Sequence, residues 1–284
     1  MRFLSRLLLL LFSSLLSLTI QVAHAGSKTD LNCNQVLGAQ FAIARDGWPL
    51  YYENYKVKNS KGQIVISNGL IYELKNYNEL IQELNQKGYS VLVYAHRAQH
   101  QSFEKARSLG LKLQKFTLDD LAEDLKDLLA HLKFKKPVHL VGLSYGSSVA
   151  ARFAEKFSSQ VKTLSLWAPL IELAPEYKAS RRMSSWFSIW GAGSWYQRSS
   201  DEVEAMIDAI EDFDLKKITF KQPAFLILAE KEESYLLRQQ YAFYEDILKK
   251  QSGSLLMIEG AQHALPSVAP EALATAFEQL INQE

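Results

Sequence analysis

The stretch Val138-His139-Leu140-Val141-Gly142-Leu143-Ser144-Tyr145-Gly146-Ser147-Ser148-Val149-Ala150-Ala151 decides the reading of this chain. A short apolar run predicts a buried strand, and a small-residue helical pattern begins immediately after Gly-x-Ser-x-Gly. Strand, sharp turn and helix together make a nucleophile elbow, which holds its serine in a strained backbone conformation. Gly142 and Gly146 flank Ser144 two positions away, where side chains would collide in so tight a turn. The turn projects the Ser144 hydroxyl from the carboxyl end of the sheet. The Tyr145 amide, at the helix start, is then in position to stabilise a developing oxyanion.

Outward from the elbow the chain alternates strands and helices. Phe41–Arg45 and Leu50–Tyr55 read as a hairpin across Asp46-Gly47, and Ile64–Ile66 as a short buried strand running into Ser67-Asn68-Gly69-Leu70. Residues 76–86 have helical apolar spacing that Gly88 ends; Val91–Tyr94 is another buried strand, and 118–132 an amphipathic helix. Strands follow at 163–167, 224–228 and 254–258, with a last helix over 270–281. This order predicts an α/β fold, a mostly parallel central sheet covered by helices on both faces. In such sheets reactive groups gather at the carboxyl ends of the strands, where Ser144 falls.

At 284 residues the chain is long enough for one large core, and its formal net charge of +1, without a Lys/Arg stripe, argues against a nucleic-acid partner. Arg2 and Arg6 precede an apolar run from Leu7 to Ile20 and then Val22-Ala23-His24-Ala25-Gly26. That is the pattern of a secretory leader cut after Ala25, so residues 1–25 are expected to be removed and 26–284 to form the domain. The run is shorter than the roughly 20 residues a membrane span needs. Export to the periplasm or medium follows. Cys33 is the only cysteine, which leaves no internal disulfide.

Residues from about 170 to 222 break the alternation. They contain Trp186, Phe187, Trp190, Trp195 and Tyr196 before a helical pattern near 201–210. Aromatics this dense beside a reactive serine suggest a cap lining an apolar acyl pocket, with Trp186, Phe187 and Trp190 contacting substrate; the competing reading is that they fill the cap's own small core.

A serine hydroxyl needs a base to take its proton and an acid to orient the base. His139 lies mid-strand, His131 on an exposed helix face, and His96 and His100 follow a strand at the reactive edge. His263, in Gly260-Ala261-Gln262-His263-Ala264 after the last strand, is the best base. The acid is expected after the 224–228 strand, where Glu230, Glu232 and Glu233 all occur; Glu232 is the first choice and Glu233 the second. Leu70 N–H is the natural second oxyanion donor beside Tyr145 N–H.

Together these residues resemble the α/β-hydrolase superfamily, and within it the lysophospholipase/monoacylglycerol-lipase group that overlaps the serine-aminopeptidase-like families. Gly142-Leu143-Ser144-Tyr145-Gly146 and Gly260-Ala261-Gln262-His263 match its nucleophile and histidine motifs. Arg45-Asp46-Gly47 is similar to its opening hairpin, and Tyr94-Ala95-His96-Arg97-Ala98-Gln99-His100-Gln101-Ser102 to its Asp-His-Arg-Gly-x-Gly-x-Ser loop. Asn68-Gly69 stands where the group usually has His-Gly, and Glu232 where it usually has aspartate.

The resemblance implies hydrolysis of carboxylic esters, of a small-molecule or lipid substrate such as a lysophospholipid or monoacylglycerol, without metal or cofactor. Transient contact with a membrane surface would accompany a lipid substrate. Two alternatives stay open. One is an aminopeptidase on the same scaffold, with Glu172 or Glu176 receiving the substrate amine; the other is a binding protein that kept the fold and lost the chemistry.

Overall fold

Alternation along the strands sorts the core into two halves. Val65, Leu92, Leu140, Leu226 and Leu228 face one side of a sheet, and Ile64, Ile66, Val91, Val93, Val141, Phe225 and Ile227 face the other. The computed structural model describes residues 40–173 and 200–282. The leader and the stretch carrying Trp186, Phe187, Trp190 and Glu176 lie outside them.

Eight strands form one sheet: β1 (Gln40–Ile43), β2 (Pro49–Tyr55), β3 (Gly62–Ser67), β4 (Tyr89–Tyr94), β5 (Val138–Leu143), β6 (Val161–Trp167), β7 (Ala224–Ala229) and β8 (Ser254–Ile258). Their spatial order is β1-β2-β4-β3-β5-β6-β7-β8. The β1–β2 and β2–β4 pairings are antiparallel and all others parallel, so the expected mostly parallel sheet is what forms. Strands β4, β5 and β7 are buried along their whole length, which explains why they read as unbroken apolar runs.

Helices cover both faces. On one, α3 (Leu118–His131) and α4 (Tyr145–Lys156) pack Leu125, Leu128, Ala150 and Phe153 against the sheet. On the other, α1 (Asn78–Gln86) and the C-terminal Pro270–Ile281 helix pack Leu80, Leu84, Leu273 and Phe277. A capping box starts α3: Asp120 N–H donates to Thr117 Oγ1 and Thr117 N–H to Asp120 Oδ2. One helix escapes the sequence reading. His100–Ser108, α2, starts inside the stretch read as a loop through Ser102; among its described side chains only Ser102, Phe103 and Ala106 are buried, too few to leave an apolar stripe. The helical pattern near residues 201–210 becomes Ser200–Asp208, α5.

His139 is a core residue, as its mid-strand position suggested. Its Nδ1 lies 2.9 Å from Thr163 Oγ1, and burial, with Lys162 nearby, pushes the imidazole down to about 4. The unfolded chain therefore takes up a proton near pH 6.5 while the folded one refuses it until about pH 4. His139 stabilises the fold fully above pH 6.5, and that contribution is lost as pH falls toward 4, in all about 3 kcal/mol. Urea midpoints measured across pH 4–7 should show this decline, and His139→Gln, which takes up no proton, should flatten it. An unchanged decline in the variant would assign the acid sensitivity to other groups.

Candidate active site

The elbow takes the form its sequence requires. β5 ends at Leu143, Ser144 sits at φ 52°, ψ −116°, and α4 begins at Tyr145. A Cβ on Gly142 would stand 2.4 Å from Ser147 Cα, and one on Gly146 would stand 2.1 Å from Ser67 O. Both obstacles are backbone, so nothing can step aside. The second contact also has a functional result: it brings the end of β3 directly against the first turn of α4. Ser147 Oγ adds a 2.7 Å bond to Gly142 O across the turn, a lock the sequence did not announce.

Strain clusters at this edge of the sheet. Ile71, Ser144 and Ala168 are non-glycine residues with φ of 60°, 52° and 41°, and they lie in the loops after β3, β5 and β6. Such conformations cost of order 1–3 kcal/mol each and persist only where surrounding contacts over-determine them.

The three glutamates after β7 separate into three roles. Glu232 has a nearly fully buried side chain, and its Oε2 is 2.5 Å from His263 Nδ1. Its other oxygen accepts from Glu233 N–H at 2.9 Å. Glu230 accepts from Gly260 N–H at 2.7 Å and so ties the two loops together. Glu233 caps the next helix, α6 (Ser234–Phe243), accepting from Tyr235 N–H. Backbone bonds Glu230 N–H to Ile258 O and Lys231 N–H to Ala261 O zip the turn after β7 to the turn after β8. His263 is thus presented, half-buried, at the carboxyl ends of adjacent strands, on the edge that also bears Ser144. The Glu232–His263 pairing is the one that the order serine, acid, histidine called for.

Leu70 opens the turn after β3, on the side brought against α4 by Gly146. Its side chain joins Tyr145, Leu118, Leu173, Met206 and Ile210 in an apolar cluster between the elbow and the near end of the cap. A Cβ on Gly69 would lie 3.5 Å from Leu143 O, so the turn runs alongside the residue preceding the nucleophile. Tyr145 N–H is at the first helical position of α4, where an amide has no intrahelical acceptor.

Sequence reasoning missed what braces this turn. Asn68 is fully buried: its Nδ2 donates to Tyr72 O at 2.6 Å, and Tyr77 OH donates to its Oδ1 at 2.9 Å. Gln99 Nε2 donates to Gly69 O at 2.8 Å, while its Oε1 accepts from His96 N–H. His96 is buried here as well, with Nε2 3.2 Å from Asn68 O. His96 therefore supports the turn from beneath. His100 starts α2.

Arg97 explains why two of the quoted motifs occur together. Buried between the rings of Trp48 and Phe116, it grips Asp124 of α3 through two nitrogens and the hairpin's Asp46 through a third. Burial opposes its charge, but the bonds to Asp124 and Asp46 outweigh that and hold the guanidinium protonated. Ser102 closes the same loop, donating to Ala95 O and accepting from Tyr51 N–H, both at 2.8 Å.

Eight strands in this order, with a strained serine after β5 and an acid–histidine pair after β7 and β8, define an α/β hydrolase. Residues 58–201 match the model of the family described as serine aminopeptidase, S33, and the chain belongs to that family. A hydrolase from Pseudomonas aeruginosa PA01 superposes with a TM-score of 0.71 at 19% identity, covering 87% of this chain and 99% of that one. The enol-lactonase of Burkholderia xenovorans LB400 gives 0.70 at 17%, covering 86% and 100%. These likenesses show the fold. A proline iminopeptidase of Thermoplasma volcanium is 26% identical over 134 residues, which is 47% of this chain and 43% of that protein. The chain thus matches less than half the length of that relative.

Proposed function

We propose that this hydrolase cleaves carboxylic esters through Ser144, His263 and Glu232. Ser144 Oγ attacks the acyl carbonyl, His263 takes its proton and returns it to the leaving alcohol, and Glu232 orients the imidazole. Tyr145 and Leu70 amides hold the oxyanion, and water then releases the acyl group. The observation that carries this reading is the strained Ser144 at the head of α4, on the sheet edge where buried Glu232 meets His263 Nδ1 at 2.5 Å. A metal plays no part in these steps.

The acyl group is proposed to be apolar, placing the substrate in the lysophospholipid or monoacylglycerol class. The apolar cluster of Leu70, Tyr145, Leu173, Met206 and Ile210, which includes the residue next to the nucleophile, supports this. Trp186, Phe187 and Trp190 are proposed to contact the acyl chain as well. Each buried methylene contributes about 0.8 kcal/mol, roughly a fourfold gain in kcat/KM per carbon if realised in the transition state. Activity on p-nitrophenyl esters should therefore rise from acetyl through medium chains and then level, and Trp190→Ala should flatten the rise while sparing the acetyl ester. A profile that falls from acetyl onward and ignores the mutation would reject the lipid class.

The aminopeptidase reading has the proline iminopeptidase relative in its favour and one contact against it. Glu172 is already engaged by Lys216 Nζ at 2.8 Å and by Gln239, so a substrate amine would have to compete with that lysine; Glu176, the other candidate, lies outside the described residues. Aminoacyl p-nitroanilides assayed beside the esters decide between the two. The non-catalytic reading rested on the altered Asn68-Gly69 turn, and the buried bonds of Asn68 supply that residue with a bracing role compatible with catalysis. We further propose that residues 1–25 are removed on export, so that protein recovered from a secretory host begins at Gly26.

A further inference from the structure

One segment bonds to both backbone polar groups of Ser144, whose carbonyl also accepts from Ser147 N–H at 3.0 Å within the elbow. Ser144 N–H donates to Trp167 O at 2.9 Å, and Leu170 N–H donates to Ser144 O at 3.3 Å. Residues 167–170 therefore form a strap over the strained nucleophile. The strap is itself strained, because Ala168 has φ 41°. Two bonds fix it: Ala168 N–H to Ile227 O at 2.9 Å, and Gln240 Nε2–H to Pro169 O at 3.0 Å.

Gln240 is the unusual member. It lies on α6, which begins two residues after Glu232, and it is wholly buried. Its Oε1 is buried without a hydrogen-bond partner among the described residues. Leaving such a group unsatisfied costs stability. An apolar side chain would avoid that cost but would leave the buried carbonyl of Pro169 without its donor. The retained half of the amide does one thing: it clamps the carbonyl of Pro169, next to the residue that grips Ser144.

We propose that Gln240 is a positioning residue that fixes the nucleophile elbow through the 167–170 strap and links it to the helix following the acid. The inference rests on Ser144 being the nucleophile, and its chemistry adds no step to the one described above. Its effect is to narrow the range of positions open to the Ser144 hydroxyl, for which misplacement by about 1 Å can cost 10²-fold in rate.

The test measures the rate at which a fluorophosphonate probe labels Ser144, per folded molecule, together with kcat, KM and the thermal midpoint. Gln240→Met keeps the length and shape of the side chain and removes the donor. It is expected to slow labelling and lower kcat at least tenfold, leave KM within about twofold, and leave the melting temperature close to wild type, since it removes the unpartnered Oε1 and the donor to Pro169 O together. Gln240→His, whose Nε2 lies about as far from Cβ as the glutamine nitrogen, should restore much of the rate. Ala168→Gly tests the strap from its other end: glycine accepts the backbone angle, so the variant folds, and the widened freedom of the strap should slow labelling several-fold. Wild-type labelling rates in folded Gln240→Met and Ala168→Gly would overturn the inference; should Gln240→Met not fold, Ala168→Gly alone decides. Failure of the wild-type protein to label at all would instead overturn the assignment of Ser144.

Discussion

Replacing Ser144 by alanine is expected to lower ester turnover by roughly 10⁶-fold, because nucleophile, base and acid act as a unit and loss of the nucleophile removes their joint contribution. What should remain is substrate binding and the oxyanion stabilisation proposed for the Tyr145 and Leu70 amides, which alanine leaves in place. The substitution should also be mildly favourable to folding or neutral, since Ser144 makes no side-chain cap for α4 and its backbone bonds to Trp167 and Leu170 are unaffected. The measurement is steady-state turnover with thermal unfolding on the same samples. A loss of less than about 100-fold in a fully folded variant would mean that another group attacks the carbonyl.

The second large effect concerns the acid. Glu232→Gln should cost about 10⁴ in kcat, because an amide facing His263 Nδ1 favours the wrong tautomer and leaves nothing to stabilise the imidazolium. Glu230→Gln and Glu233→Gln should be mild by comparison. Glu230 serves Gly260 N–H and Glu233 serves Tyr235 N–H, and an amide oxygen can accept from either. Three parallel variants with one substrate settle the order. If Glu233→Gln is crippling and Glu232→Gln is silent, the register of this turn in solution differs by one residue from that described.

Much of the site was legible because its signals are local. The elbow is a run of consecutive residues, and the glycines at 142 and 146 are demanded by backbone contacts of 2.4 and 2.1 Å. The choice of Glu232 over Glu233 was positional, resting on a place beyond the strand end and before the next helix; the contacts of Glu230 with Gly260 N–H and of Glu233 with Tyr235 N–H, which separate the three, are not legible in the sequence. The braces were not legible for the same reason in reverse. Gln99 and Gly69 are 30 residues apart, and Gln240 and Pro169 are 71 apart. Nothing in either neighbourhood distinguishes these glutamines from exposed ones. His96 is a related case: its place after a strand at the reactive edge was legible, but its contacts with Ser67 Oγ and Asn68 O, 29 and 28 residues away, were not.

The family sets the reaction class, and the site sets the expectation for this chain. The departures from the usual motifs make sense as local compensations. Glutamate for aspartate at 232 adds a methylene, and the buried turn zipped to the histidine loop still brings the carboxylate to 2.5 Å. Asparagine at 68 meets Tyr72 O and Tyr77 OH at once, which anchors the turn carrying Leu70.

The most direct test of the central claim is the site of covalent capture. Natively folded protein, incubated with a fluorophosphonate and digested, should carry one label per chain on the peptide containing Ser144, and the label should vanish when the protein is unfolded before exposure. Label on any other residue, or none on the folded protein, would contradict the account.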